Sequence, residues 1–260
     1  MDLNITKRQK IIITSVLLTI GLLSTQLVDF NLRFKFIAGL FVLSYALSVW
    51  SLWEGLNLTK AIVLMVLPTF FTIALASFYF LLPVRWLTRL PVAVGFGLTF
   101  YLLLLAQNVF NVASLRTIPL YRAASTASFL FTILSSFFLF NVIYAFNLWF
   151  FWNGAMVFLV SFPLIVQVLW TINMEDRVST AIMVQSFILS IILGELAMAF
   201  SFWPTPTTIW PLILSSSMYV LLGLTTQILR GRVNRRVVWE YLGIGAAVLI
   251  ISFFATSWTG

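Results

Sequence analysis

Long runs of apolar residues, separated by short polar segments, set the pattern along this chain. A helix that crosses the ~30 Å hydrocarbon core of a bilayer needs about 20 mostly apolar residues. Nine runs approach or exceed that length. They predict transmembrane helices over Ile11–Val28, Phe36–Trp53, Ala61–Leu82, Val92–Ser114, Ala123–Phe146, Leu148–Ile172, Val178–Trp203, Thr208–Leu229 and Val237–Trp258.

Two features of the pattern decide the number of spans. The first two runs are short and the weakest, so eight spans are the alternative to nine. The fifth and sixth runs together cover about 50 residues, which is too many for one span at 1.5 Å rise per residue. We therefore expect a tight turn at Asn147–Trp149, and Pro204 and Pro206 mark another turn after the seventh span.

These elements predict an all-α integral membrane helical bundle. Residues 1–10 are expected to form a cytoplasmic N-terminus, and residues 11–258 a single polytopic transmembrane domain. Of the 260 residues, 62% are hydrophobic and 8% are charged, whereas a soluble domain carries about 25% charged residues. That scarcity of charge excludes a soluble globular protein, a disordered chain and a nucleic-acid-binding domain. The expected surroundings are a lipid bilayer.

Basic residues predict the orientation, because cytoplasmic loops of membrane proteins are enriched in Lys and Arg. With the N-terminus in the cytoplasm and nine spans, eleven basic residues lie inside and four lie outside. The four outer charges weaken this assignment and leave open a re-entrant or interfacial arrangement, or a misassigned early span. The inner set is Lys7, Arg8, Lys10, Lys60, Arg116, Arg122, Arg177, Arg230, Arg232, Arg235 and Arg236, and the outer set is Arg33, Lys35, Arg85 and Arg89.

The residue inventory argues against catalysis. The chain has no Cys and no His, so it lacks a thiol nucleophile and the usual general base and metal ligand. Carboxylates do not cluster along the sequence, as a site for Mg²⁺ and a diphosphate would require. We expect neither enzymatic activity, nor a bound metal, nor a cofactor.

Glu195 is the only charged residue deep inside a predicted span. It precedes Trp203 by eight residues, which places it roughly 12 Å below the outer interface. An intramembrane ionisable residue is a functional candidate by default. Glu195 is therefore a candidate substrate or ion site, or else a structural residue that faces the bundle interior. Asn141 or another polar side chain is its expected partner, and Asn141 aligns with Glu195 when Ser125–Trp149 is laid over Ser179–Trp203.

Amide side chains near the inner end of the fourth span form a second candidate cluster. Gln107 and Asn111 are four residues apart and so share a helix face, and Asn108 lies beside them. Amides in membrane helices usually form hydrogen bonds between helices. Lining a polar vestibule is the alternative role.

Four arginines form the densest basic segment of the chain. We expect Arg230, Arg232, Arg235 and Arg236 to lie in a cytoplasmic loop. Each basic residue near a membrane surface gains about 1 kcal/mol from anionic lipid headgroups. Anchoring to such headgroups is the favoured role, and binding an acidic partner protein is the alternative.

The segment QNVFNVASLRTIPLYRAAS, Gln107–Ser125, resembles sequences of an uncharacterised family of polytopic membrane proteins from candidate bacterial phyla. The resemblance implies a multi-pass protein of a bacterial cytoplasmic membrane. It implies no catalytic or binding residue.

Three functional classes are consistent with these observations, and an enzyme ranks last because reactive residues are lacking. The first is a small transporter or a protein that handles lipids or envelope components, with Glu195 and the amides in a polar path. The second is a non-catalytic membrane subunit or scaffold that docks a partner membrane protein. A polar cavity that reaches Glu195 would favour the first. A filled core with an exposed groove of small or aromatic residues would favour the second.

Overall fold

The structure, a computed structural model, describes residues 6–25, 32–81, 86–113 and 120–256. Nine α-helices and no β-strand occur within these ranges. The helices are α1 (Lys7–Ser24), α2 (Arg33–Leu52), α3 (Leu58–Tyr79), α4 (Trp86–Ala113), α5 (Tyr121–Ala145), α6 (Phe150–Asn173), α7 (Thr180–Phe200), α8 (Ile209–Leu229) and α9 (Arg235–Ala255).

The all-α membrane fold class is confirmed. Within the described ranges, the eight helices from α2 to α9 are long and apolar enough to cross a membrane. The exception is α1, which has 18 residues and begins with the basic Lys7 and Arg8. Its apolar part starts only at Ile11, which explains why this helix is the weakest of the predicted spans.

Helix boundaries agree with the predicted turns. Between α5 and α6, Asn147 has a φ of 49°, a left-handed conformation that Asn tolerates well and that reverses the chain tightly. Pro204 and Pro206 lie between α7 and α8. The predicted span ends at Val28, Leu82, Ser114 and Trp258 lie outside the described residues.

Helix contacts divide the chain into two compact units, Met1–Phe131 and Thr132–Gly260, with the boundary inside α5. In the first unit, α1 packs against α2 and α4, and α3 packs against the same two helices. Phe71 of α3 stacks on Phe96 of α4 with ring centroids 5.9 Å apart, and both side chains are buried.

The single domain over residues 11–258 and the cytoplasmic residues 1–10 stay predictions.

Side-chain contacts show which helix ends of the first unit lie together. Lys10 of α1 pairs with Glu54, which follows α2, at 3.4 Å between Nζ and Oε1. At the opposite end of α2, the guanidinium of Arg33 lies 5.0 Å from the ring of Phe80, which follows α3. The Lys10–Glu54 pair joins the start of α1 to the end of α2, so α1 and α2 run antiparallel. Two predicted orientation markers, Arg85 and Arg116, lie outside the described residues.

The second unit is built on the antiparallel pair α6 and α7, and α8 contacts both helices. The remaining helix, α9, packs against α8, where the ring of Tyr241 covers Gly223. Ser252 is the one buried residue of α9. Most of the α9 surface therefore faces the surroundings of the protein.

Candidate functional site

Glu195 lies on the exposed side of α7, so the expectation that it faces the bundle interior is wrong. The helical period explains this position, because the buried face of α7 contains Ser186, Ser190 and Gly194, spaced four residues apart. Glu195 follows Gly194 and is rotated by about 100° from that face. Among the described residues, none forms a hydrogen bond or an ion pair with its carboxylate.

The carboxylate borders an open groove of about 320 Å³ between α6 and α7. All other residues that line this groove are apolar or small. The lining residues are Phe151, Gly154, Ala155 and Phe158 of α6, and Ile191, Gly194, Glu195 and Met198 of α7. We call this surface the α6–α7 groove.

Two glycines bring the α6 and α7 backbones together in this groove. A Cβ atom added to Gly194 would lie 3.0 Å from the carbonyl oxygen of Gly154. A Cβ added to Gly154 would lie 2.8 Å from the carbonyl oxygen of Gly194 and 2.5 Å from Cγ of Met198. Small residues permit such close approach of membrane helices, and here they leave a depression beside Glu195.

Asn141 is buried on α5, in contrast to Glu195. No hydrogen bond between the two side chains occurs, so the expected pair does not form. The alignment of Ser125–Trp149 with Ser179–Trp203 therefore matches two positions whose environments differ. A substrate or ion role for Asn141 gains no support from this arrangement.

The amide cluster of α4 lies in the first unit and serves two structural contacts. Gln107 is fully buried, and its Nε2 donates to Oγ of Ser128 on α5 at 3.5 Å. Asn111 is also fully buried, and its Nδ2 donates to the carbonyl oxygens of Leu52 and Glu54, each at 3.0 Å. These bonds connect helices and loops, which is the commoner role of such amides.

A buried lysine completes the same region. The Nζ atom of Lys60 donates to the carbonyl oxygens of Gly55, at 3.3 Å, and of Asn111, at 3.1 Å. Gly55 has a φ of 87°, a conformation that favours glycine. The α2–α3 loop is thus held by Asn111 from α4 and by Lys60 from α3.

Lys7 joins this end of the first unit, where its Nζ donates to the carbonyl oxygen of Glu54 at 3.2 Å. Partial burial lowers the pKa of Lys7 from the ordinary lysine value, and the nearby positive charges of Lys10 and Lys60 lower it further. The charge of Glu54 acts in the opposite direction and is outweighed. Three of the predicted inner lysines therefore gather at one end.

Sequence reasoning missed this lysine cluster and the glycine pair. A signal for the first existed, because Glu54, Gly55 and Asn57 mark a short turn between two apolar runs and Lys60 follows at once. The glycine pair had no comparable signal, because the sequence contains many glycines in apolar runs and not all of them lie at a helix contact. Gly95 and Gly243, for example, have no heavy atom within 4 Å of an added Cβ.

The arginine segment lies between α8 and the first turn of α9. Arg232, Arg235 and Arg236 are exposed, and Arg230 is half-buried. Nε of Arg236 pairs with Oε1 of Glu240 at 3.0 Å. The segment therefore presents a strongly basic surface at this end of the second unit.

Within the described residues, no group of three or more His, Cys, Asp or Glu side chains is placed to hold a metal ion. The site thus offers one exposed carboxylate in an apolar groove and one exposed basic segment. Neither arrangement brings a nucleophile and a general base together.

Comparisons with known proteins return one family. A family model described as "Protein of unknown function (DUF5656)" matches residues 13–255, including all of Gln107–Ser125. No curated protein and no solved structure matches the chain. The match confirms the resemblance to an uncharacterised family.

Proposed function

Since this chain belongs to the DUF5656 family of proteins of unknown function, we propose its role from geometry: it is a non-catalytic membrane subunit that docks a partner protein. The docking surface is the α6–α7 groove, and the occupant is a transmembrane helix of the partner. That helix bears a Lys, an Arg or an amide side chain that donates a hydrogen bond to Glu195.

One observation carries this proposal, namely an exposed carboxylate with apolar neighbours in a helix that is long and apolar enough to cross a membrane. A carboxylate at the centre of a bilayer costs about 2.5–3.5 kcal/mol on insertion scales. A partner that supplies a donor or a positive charge offsets this cost. Glu195 lies eight residues before Trp203, roughly 12 Å along the helix. This depth favours a donor from a neighbouring helix over the ammonium of a lipid headgroup.

The shape of the groove supports a helix as the occupant. Gly154, Ala155 and Gly194 have no bulky side chains, so a partner backbone can approach closely, as small-residue interfaces allow. Phe151 and Phe158 form an aromatic wall on the α6 side. Van der Waals packing against these residues supplies the contact area, and Glu195 supplies the specificity for a polar partner residue.

A small transporter or lipid-handling protein is the second candidate, and buried polar atoms favour it. Oγ of Ser161 and Oγ of Ser186, both in the second unit, have no hydrogen-bond partner among the described residues. Unpaired polar atoms in apolar surroundings are costly, and a polar substrate would satisfy them. A Ser186→Cys variant tests this role. If a polar path exists, a small water-soluble thiol reagent should label the variant, and absence of labelling would exclude the path.

Site-specific photocrosslinking in native membranes tests the docking role. A photoreactive residue at Ile191, in the groove, is expected to capture one membrane protein through a transmembrane segment that contains Lys, Arg, Asn or Gln. Glu195→Leu should abolish that capture, because the carboxylate is the polar anchor. Glu195→Gln should retain part of it, since the amide still accepts a hydrogen bond.

The same photoreactive residue at Ile250 is the matched control, because this exposed α9 position lies outside the groove. Capture of a second copy of this chain at Ile191 would replace the proposal by self-association. Capture that persists in Glu195→Leu, or that is equal at Ile250, would refute it.

A further inference from the structure

The N-terminal end of α9 presents a basic, then an aromatic, then an aliphatic side chain along one helix face. Arg235, Val238, Trp239 and Leu242 follow the spacing i, i+3, i+4 and i+7, so they share a face of α9. Together with Val233 and Asn234 they line an open groove of about 610 Å³. We call this surface the α9 groove.

We propose that the α9 groove binds one anionic phospholipid, with the phosphate at Arg235 and an acyl chain along Trp239 and Leu242. Measured along the helix, Trp239 lies roughly 6 Å and Leu242 roughly 10 Å beyond Arg235. A phospholipid presents its charged headgroup, its interfacial region and its chains in the same order. This site is independent of partner docking at Glu195.

Charge complementarity supports an anionic headgroup. Four arginines lie within seven residues, and Glu240 is the acidic residue paired with one of them, Arg236. Arg232 and Arg235 are exposed and form no ion pair with a described residue. Guanidinium groups bind phosphate oxygens with two parallel hydrogen bonds, which makes Arg well suited to this contact.

The apolar part of the groove favours a lipid over an acidic soluble protein. Trp239 is 73% exposed and Leu242 is 46% exposed, on a helix of which Ser252 is the one buried residue. Exposed tryptophan is typical of the headgroup level of a bilayer. An acidic protein would contact the arginines and would leave Trp239 and Leu242 uncovered.

Lipid retention by the purified full-length protein, measured by native mass spectrometry, tests this proposal. From mixed micelles of phosphatidylglycerol and phosphatidylcholine, the protein should retain phosphatidylglycerol preferentially. Arg235→Gln should lower that retention by about fivefold. Glycerol phosphate, which has the charge without the chains, should not compete at equal concentration.

Two further variants separate a built site from general basic charge. Arg177→Gln is the charge-matched control, because Arg177 is exposed and lies outside the α9 groove, and it should keep normal retention. Trp239→Leu should lower retention without a change of charge. Equal losses in Arg177→Gln and Arg235→Gln, undiminished retention in Trp239→Leu, or effective competition by glycerol phosphate would each overturn the proposal.

Discussion

At the scale of single residues, the proposed function rests on Glu195 because its carboxylate combines exposure with apolar neighbours. Most exposed positions of α7, such as Phe187 and Ile188, are apolar and suit contact with lipid. Glu195 departs from this pattern without a compensating donor among the described residues. An intramembrane ionisable residue is a functional candidate by default, so the exposed carboxylate supports the proposal that another molecule covers this surface.

Replacing Glu195 is expected to improve the stability of the isolated protein while it removes partner binding. Glu195→Leu should raise the free energy of unfolding in lipid bicelles by roughly 1–3 kcal/mol, because an unpaired carboxylate leaves an apolar environment. Glu195→Gln should give a smaller change. A loss of 1 kcal/mol or more in Glu195→Leu, measured by reversible denaturation, would mean that the carboxylate already has a partner inside this chain.

Asn111 is expected to be the structural amide of α4. Asn111→Ala removes the donor to the carbonyl oxygens of Leu52 and Glu54. It should cost about 1–3 kcal/mol, because the buried carbonyl oxygen of Leu52 loses this donor, whereas Lys7 still donates to that of Glu54. Asn108→Ala is the matched control on the same helix, since Oδ1 of Asn108 has no described partner. Equal destabilisation of the two variants in denaturation experiments would contradict this assignment.

At the scale of helices, the apolar runs predict where each helix lies but not which face it buries. Runs of about 20 apolar residues identify spans because backbone polar groups must be satisfied inside the membrane. Residues that face lipid and residues that face another helix are both apolar, so periodicity indicates the buried face poorly. This is why adjacent Gly194 and Glu195 could not be assigned to a helix interface and an exposed surface from the sequence.

The glycine contact between α6 and α7 gives a prediction at this scale. Gly194→Ala places a Cβ at 3.0 Å from the carbonyl oxygen of Gly154, which should force the helices apart and cost roughly 1–3 kcal/mol. Gly243→Ala on α9 is the control, because no atom lies within 4 Å of the added Cβ. Its higher helix propensity should stabilise the protein by up to about 1 kcal/mol. Thermal denaturation that fails to separate the two variants would exclude the tight contact.

At the scale of the molecule, charge counts along the sequence assigned Lys7, Lys10 and Lys60 to one side of the membrane but did not predict that they gather. Lys7 and Lys10 contact Glu54, and Lys60 donates to the carbonyl oxygens of Gly55 and Asn111 beside them. Burial of Lys60 could not be predicted, because it depends on carbonyl oxygens that only the folded α2–α3 loop and α4 provide. The proposed lipid site on α9 likewise depends on exposure, which the composition of the arginine segment does not show.

Topology can be measured with single cysteines because the chain contains none. Thr6→Cys, Glu175→Cys and Thr207→Cys place the label at exposed positions. With nine spans, an impermeant thiol reagent should label Thr207→Cys in intact cells and should label Thr6→Cys and Glu175→Cys only after the membrane is opened. Labelling of Thr6→Cys and Glu175→Cys from opposite sides would show that α1 does not cross.

The pairing of Glu195 with a partner residue is tested most directly by a charge exchange, read as the crosslinking yield from the photoreactive residue at Ile191. Glu195→Lys should reduce the yield to background, because it places like charges together or leaves two donors without an acceptor. Exchanging the basic or amide residue of the captured partner helix for Glu should then restore the yield. A yield that stays at background after the double exchange, or that never falls in Glu195→Lys, would contradict docking through this carboxylate.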